Sequence, residues 1–202
     1  MRGFYYITDR KLSSKPDVDG VREAVEGGAA VVQYREKELD PVEKSEIAAE
    51  MKRICEGRAV FLINDNVDIA LEVDADGVHL GQEDTPLAEA RRLLGPDRII
   101  GVTVHNVEEA LAAEAGCADY VAASPIYATS TKEDAGEPAG LELIVDVKAA
   151  VKIPVAAIGG IDESNIDDVV SARADMACAI SATVTKEDIR AAVEYFARKW
   201  TK

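Results

Sequence analysis

The chain has 202 residues, which suits one compact domain with a substantial core. Hydrophobic residues make up 48% and charged residues 30%, an ordinary globular balance. The formal net charge of −15 repels phosphate backbones, so nucleic acid is excluded as an expected partner, and much of the surplus acid serves solubility. Cys55, Cys117 and Cys178 are far apart and form no CxxC pair, which argues against a zinc knuckle or a disulfide framework and fits a reducing cytoplasm. The opening MRGFYYITDRKL lacks the apolar region of a signal peptide, and no run reaches the length needed to span a bilayer, so no membrane partner is expected.

Short apolar runs alternate with helical patterns throughout. The candidate strands are Gly3–Thr8, Ala29–Tyr34, Ala59–Ile63, Gly77–Leu80, Arg98–Val102, Tyr120–Ala123, Val155–Ile158 and Met176–Ile180. Most are continuous apolar runs, as expected of parallel strands buried on both faces. Ser13–Asp19 reads as a loop before the first helix. Asp40-Pro41-Val42-Glu43 supplies a cap, a proline at the first helical position and a capping acid. Thr85-Pro86 starts another helix; Asn106 with Glu109, and Thr185 with Asp188, have the form of further caps. The last helix sets Ile189, Ala192, Val193, Phe196 and Trp200 on one face. Eight such units with no opening dinucleotide fingerprint predict a single-domain (β/α)₈ TIM barrel over residues 1–202, lean beside the usual length of about 250.

Catalytic groups of such barrels lie where strands end. After the second strand, Gln33, Arg35 and Lys37 alternate and share a face if the strand runs that far. Asn64-Asp65 follows the third strand and Asp84 follows the fourth. Neighbouring strands lie about 4.8 Å apart, so Asp65 and Asp84 can reach one hard cation, and Mg²⁺ is often held by one or two carboxylates plus substrate phosphates. The plainer reading is that each aspartate caps the following helix. The long loop 124–140 carries Thr129, Thr131 and Lys132, groups suited to an anion. Gly159-Gly160 and Ile180-Ser181 end the last two strands, a usual place for a phosphate in this fold. His79 and His105 read as hydrogen-bonded residues of the barrel wall or rim, since nothing marks a third zinc ligand. Arg35, Lys37, Lys132 and one Mg²⁺, less the two carboxylates, leave a charge of about +3, close to neutralising a pyrophosphate of about −3 to −4.

Several stretches, in order, resemble the thiamine phosphate synthase family: YYITDRKL, VVQYREK, LINDNVDIAL, ADGVHLGQEDTPLAEARRLLG, IIGVTVHNVEEA, ADYVAASPIYATSTKEDAG, IPVAAIGGI and AISA. They span nearly the whole chain. The resemblance implies a transferase that joins hydroxymethylpyrimidine pyrophosphate to a thiazole phosphate, or its carboxylated form. It implies a dissociative substitution in which the bond to pyrophosphate breaks first and the thiazole nitrogen attacks the resulting cation. It implies that Arg35, Lys37, Asn64 and Lys132 grip pyrophosphate and that Asp65 and Asp84 hold Mg²⁺. Gln33 and Thr103 match positions beside the pyrimidine, Thr103 where serine is usual. Thr129 and Thr131 match hydroxyls near the thiazole, and Gly160 with Ile180-Ser181 matches its phosphate segment.

The chain departs from the family at two places. Ala122-Ala123-Ser124-Pro125 stands where GVGP is frequent, and Arg173 and Met176 replace two glycines of the last strand's motif. Two other functions remain open at this point. A thiazole tautomerase of the same superfamily needs no pyrophosphate grip; a non-catalytic thiamine phosphate-binding protein needs no metal carboxylates. The partners implied are small molecules, and a homo-oligomer is compatible with the sequence.

Overall fold

The computed structural model describes residues 1–129, 131 and 136–200. Strands and helices alternate from the start: β1 (Gly3–Ile7), α1 (Asp17–Glu26), β2 (Val31–Tyr34), α2 (Pro41–Cys55), β3 (Val60–Asn64), α3 (Val67–Glu72), β4 (Gly77–Leu80) and α4 (Leu87–Leu94). The second half continues with β5 (Ile99–Val104), α5 (Val107–Ala115), β6 (Tyr120–Ala123), α6 (Gly140–Ala150), β7 (Val155–Ile158), α7 (Ile166–Ser171), β8 (Met176–Cys178), α8 (Ser181–Val184) and α9 (Ile189–Ala197). The strands close into one parallel barrel in sequence order, with β8 pairing β1 through Gly3↔Met176 and Phe4↔Ala177. The expected TIM barrel is the observed fold.

Alternation along the strands divides the apolar residues into two cores. Phe4, Tyr6, Val32, Phe61, Ile63, Val78 and their equivalents face outward and pack with the helices. Tyr5, Ile7, Val31, Leu62, Tyr120, Ala122, Ala156, Met176 and Cys178 fill the interior. A Cβ at Gly101 would lie 2.0 Å from the Tyr120 ring, so this glycine makes room for the tyrosine inside the barrel.

The amino end of the barrel repeats one device. After α1, α3, α5 and α7 comes a residue in the left-handed region: Gly28 (φ 89°), Asp74 (φ 54°), Cys117 (φ 65°) and Arg173 (φ 68°). A buried alanine follows each time, at 29, 75, 118 and 174. In three cases the next residue is an aspartate that accepts a backbone N–H from the preceding strand. Asp76 accepts from Phe61 at 2.7 Å, Asp119 from Ile100 at 2.8 Å and Asp175 from Val155 at 2.8 Å. Each also binds a cation from the helix that leads into that strand, Lys52 of α2 at 2.6 Å, Arg91 of α4 at 2.5 Å and Lys148 of α6 at 2.6 Å. The fourth position is Ala30.

Several boundaries differ from the sequence reading. Helix α1 already begins at Asp17, because Pro16 supplies a preset φ just ahead of it. Strand β2 starts later than expected, since the N–H of Ala29 is still tied to Ala24 in α1. Strand β5 runs to Val104, whereas β8 stops at Cys178 because the Ile180 carbonyl accepts from Thr183 and Val184 and opens α8. Thr185 does not cap α9: its hydroxyl donates to the Ser181 carbonyl at 2.7 Å, and Asp188 caps α9 by accepting from Ala191 at 2.8 Å. The caps at Asp40 and Asn106 are as expected, each side chain accepting backbone N–H groups of the first turn.

Candidate active site

The inward residues at the carboxyl ends of the strands surround a cavity of about 420 Å³. Gln33, Arg35, Lys37, Asn64, Asp65, Asp84, Thr103, Thr129, Thr131, Gly160, Ile180 and Ser181 all line it. Lys132 lies outside the described residues. A larger depression of about 880 Å³ opens at the amino end, where Lys52 pairs with Asp76 and Arg98 with Asp74.

The basic side is built by β1 and β2. The backbone N–H of Arg35 donates to the Thr8 hydroxyl at 2.9 Å, and its guanidinium meets the buried Asp9 carboxylate at 3.1 Å. One face of the guanidinium is thereby fixed, and the side chain remains partly exposed toward the cavity. Lys37 is 56% exposed, and its ammonium stands 3.9 Å from Asp65. A single anchored guanidinium with a nearby ammonium is suited to a multiply charged phosphate group.

The acidic side adjoins it, just after β3 and β4. Asp65 takes a left-handed φ of 61°, unusual for a residue with a side chain, and its N–H donates to the His79 carbonyl at 2.9 Å. The turn puts its carboxyl group against that of Asp84. Burial and then the adjoining Asp84 carboxyl push Asp65 up to about 6, while Lys37 pulls the other way. Neither aspartate caps a helix: Asn66 caps α3 by accepting from Ile69, and Asp84 closes its own turn by accepting from Gly81 at 2.6 Å. Two carboxyl groups pressed together gain from a shared cation, and their hard oxygen donors fit Mg²⁺. The pair falls short of a complete cage, because no set of three or more acidic, histidine or cysteine ligands occurs among the described residues.

The third wall comes from the last strands. Gly159 (φ 105°) and Gly160 (φ 60°) follow β7, and a Cβ at Gly160 would come within 2.4 Å of the Ala128 carbonyl. Only glycine lets the two loops approach this closely. The N–H groups of Gly160 and Ser181 donate to no described residue. In the adjoining loop Thr129 accepts from the Thr131 N–H at 3.3 Å.

The floor holds a polar chain that crosses the barrel. The Gln33 amide donates to the Tyr5 hydroxyl at 2.5 Å, which lies 2.8 Å from the Tyr120 hydroxyl. Tyr120 lies 2.7 Å from Nδ1 of His79, whose Nε2 lies 2.8 Å from the Thr103 hydroxyl. His79 is thus a hydrogen-bonded wall residue, while the exposed His105 sits against Glu109 at the start of α5. Tyr5 and Tyr120 were not singled out from the sequence. The signal available was parity: each falls on the same alternate positions as Gln33, His79 and Thr103.

Comparison with known proteins agrees with this geometry. A family model described as Thiamine monophosphate synthase matches residues 4–183. The chain is similar to the thiamine-phosphate synthase of Methanosarcina barkeri, 52% identical over 193 residues, covering 96% of this chain and 88% of that one. The corresponding protein of Moorella thermoacetica is 44% identical over 190 residues, covering 94% and 90%. Among solved structures, thiamine phosphate pyrophosphorylase from Pyrococcus furiosus superposes with a TM-score of 0.90 at 42% identity, covering 98% of this chain and 94% of the other.

Proposed function

The chain belongs to the thiamine monophosphate synthase family, and from that premise we propose that it joins hydroxymethylpyrimidine pyrophosphate to a thiazole phosphate, releasing thiamine phosphate and pyrophosphate. One observation carries the reading: Arg35, Lys37 and Asn64 share a single cavity with the Asp65–Asp84 pair. A thiazole tautomerase or a simple binder has no use for both a pyrophosphate grip and a pair of metal carboxylates.

In the proposed reaction the carbon–oxygen bond to pyrophosphate breaks, and the thiazole nitrogen then attacks the pyrimidine-stabilised methylene cation. Arg35, Lys37, Asn64 and Lys132 hold the departing pyrophosphate and stabilise its growing charge. Asp65 and Asp84 would hold Mg²⁺, which supplies further positive charge to the phosphate oxygens. Gln33 and Thr103 position the pyrimidine, while Thr129 and Thr131 orient the thiazole. Gly160 and the Ile180–Ser181 segment receive its phosphate through N–H groups that have no other described partner. The protein's contribution is alignment of nitrogen with carbon and a preorganised field, so no side-chain nucleophile is needed. Cys178, though it lines the cavity, is unsuited to that role because burial pushes its thiol up.

The test is direct. Purified protein is incubated with both substrates and Mg²⁺, and thiamine phosphate is measured after oxidation to fluorescent thiochrome. Mg²⁺-dependent product is expected. Absence of product with either thiazole form, beside a working control enzyme, would overturn the reading.

A further inference from the structure

We infer that Tyr5, Tyr120 and His79 form a hydrogen-bonded wire with one direction, coupling Gln33 to Thr103 so that the cavity presents an acceptor at the first and a donor at the second. Its residues come from β1, β2, β4, β5 and β6, so it ties together strands on both sides of the barrel.

With the Gln33 amide nitrogen turned toward Tyr5, as it stands in the structure, the direction follows from counting hydrogens. Tyr5, Tyr120 and Gln33 are each at least 98% buried, and neither tyrosyl oxygen lacks a partner. Burial raises both phenols well above their ordinary range, so each keeps its one hydrogen. The Tyr5 oxygen already accepts from the Gln33 amide. Among the described residues, the place left for the Tyr5 hydrogen is the Tyr120 oxygen. Tyr120 must then donate to Nδ1 of His79, which acts as acceptor. A neutral ring with Nδ1 bare carries its hydrogen on Nε2 and donates to the Thr103 oxygen. The Thr103 hydroxyl, having accepted, points its own hydrogen into the cavity. At the other end, Gln33 Oε1 accepts from no described residue and also faces the cavity.

The reverse direction needs the Gln33 amide turned over. Its oxygen would accept from Tyr5, His79 would carry its hydrogen on Nδ1, and Thr103 would spend its own on Nε2. The cavity would then offer the opposite pattern, suited to an oxo ring with its carbonyl acceptor. The direction inferred here suits an amino-substituted nitrogen heterocycle, whose amino group donates and whose ring nitrogen accepts. Naming that ring as the pyrimidine rests on the proposed synthase function; the direction of the wire does not. On this reading Tyr120, Tyr5 and His79 are positioning residues that choose an amino ring over an oxo ring through Gln33 and Thr103.

The experiment begins with the unliganded protein. With only two histidines in the chain, ¹⁵N-histidine labelling gives two rings, and His105→Gln leaves His79 alone. Long-range ¹H–¹⁵N correlations are expected to show His79 neutral at pH 7.5 with its hydrogen on Nε2. Hydrogen on Nδ1, or a cationic ring, would overturn the inference even if the protein proves an active synthase. Tyr120→Phe keeps the ring and removes the link. It is expected to blur the tautomer preference and to raise KM for the pyrimidine pyrophosphate about tenfold, the scale of one hydrogen bond. KM for the thiazole phosphate should change less than about twofold on the same scale. An unchanged tautomer and unchanged pyrimidine KM would overturn the coupling. Tyr5→Phe breaks only the Gln33 end, and a smaller shift in the same direction is expected; it serves as the readout if Tyr120→Phe fails to fold. Inactive protein with the expected His79 spectrum would defeat the synthase reading while leaving the wire standing.

Discussion

The two ends of this barrel are built on opposite principles. The amino end repeats a left-handed residue, a buried alanine and an aspartate, and each aspartate is satisfied by one backbone N–H and one helix cation. The carboxyl end repeats nothing. There Asp65 is bent into a left-handed turn against Asp84, Gly160 and Ser181 leave N–H groups unused, and Arg35 is anchored on one side only. The amino end has its polar groups closed on one another; the carboxyl end keeps them open for a ligand. Stability and chemistry are therefore separable, and substitutions at the two ends should fail in different assays.

The largest effect expected is on turnover. Arg35→Ala removes a preorganised charge from the pyrophosphate grip, and kcat should fall about 10²- to 10³-fold. The melting temperature should fall by a few degrees as well, because the buried Asp9 carboxylate loses its cation, so kcat is read at a temperature where the variant is folded. Thiochrome kinetics beside a thermal melt would check both halves. Turnover within about threefold of wild type would remove Arg35 from the grip.

The opposite failure is expected at the other end. Asp175→Ala strips the Val155 N–H of its acceptor and Lys148 of its counterion. A loss of about 2 kcal/mol follows from one charge-assisted hydrogen bond, or a melting temperature lower by about 4–8 °C in a chain of this size. At a temperature where the variant is folded, kcat should be unaltered. A matching loss of kcat would mean that the two ends are coupled after all.

This contrast also explains what the sequence disclosed. The barrel was legible because eight buried strands leave continuous apolar runs, and strand parity gathered Gln33, Arg35 and Lys37 on one face. The Asp65–Asp84 contact was legible only as one of two readings, since an aspartate after a strand looks the same whether it caps a helix or faces a ligand. The distinction lies in the φ of Asp65 and in Asn66 taking the cap, neither of which a residue list encodes. The Tyr5–Tyr120 link joins residues 115 apart, a contact that depends on barrel closure and on the space left by Gly101. Lys132, the remaining member of the expected grip, lies outside the described residues.

A smaller effect probes the acid crowded behind the rim. Asp17 at the start of α1 is pushed up to about 6 by burial, with Glu36 and Asp9 adding to the rise and Arg10 opposing it. An unfolded aspartate titrates near about 3.9, so the folded state holds the proton more tightly. The contribution of this group to stability is full below about pH 4 and is lost as pH rises through about 6. Asp17→Asn keeps the shape without the charge. It should raise the melting temperature by a few degrees at pH 7.5 and leave it unchanged at pH 4. Equal shifts at both pH values would show that the effect is one of packing or capping, not of charge.

The smallest expected effect sharpens the repeat itself. Arg173 occupies the left-handed position that Gly28 fills in the first unit. Its sisters have compensation: the Asp74 carboxylate binds Arg98 at 2.8 Å, and the Cys117 carbonyl accepts from Arg91 at 2.7 Å. Among the described residues the Arg173 side chain makes no hydrogen bond or ion pair, so its conformation is held only by the turn. A side chain in this region costs about 1 kcal/mol, and glycine gives back part of that gain through a more flexible unfolded chain. Arg173→Gly should therefore stabilise the protein by about 0.5 kcal/mol, raising the melting temperature by about 1–2 °C. The same change at Asp74 should not, because it also breaks the pair with Arg98. A differential scan of the two variants at pH 7.5 would decide. Equal gains would mean that backbone strain alone sets the four turns. A gain confined to Arg173→Gly would mean that the Asp74 turn, through its pair with Arg98, has its own way to hold a conformation glycine adopts without help.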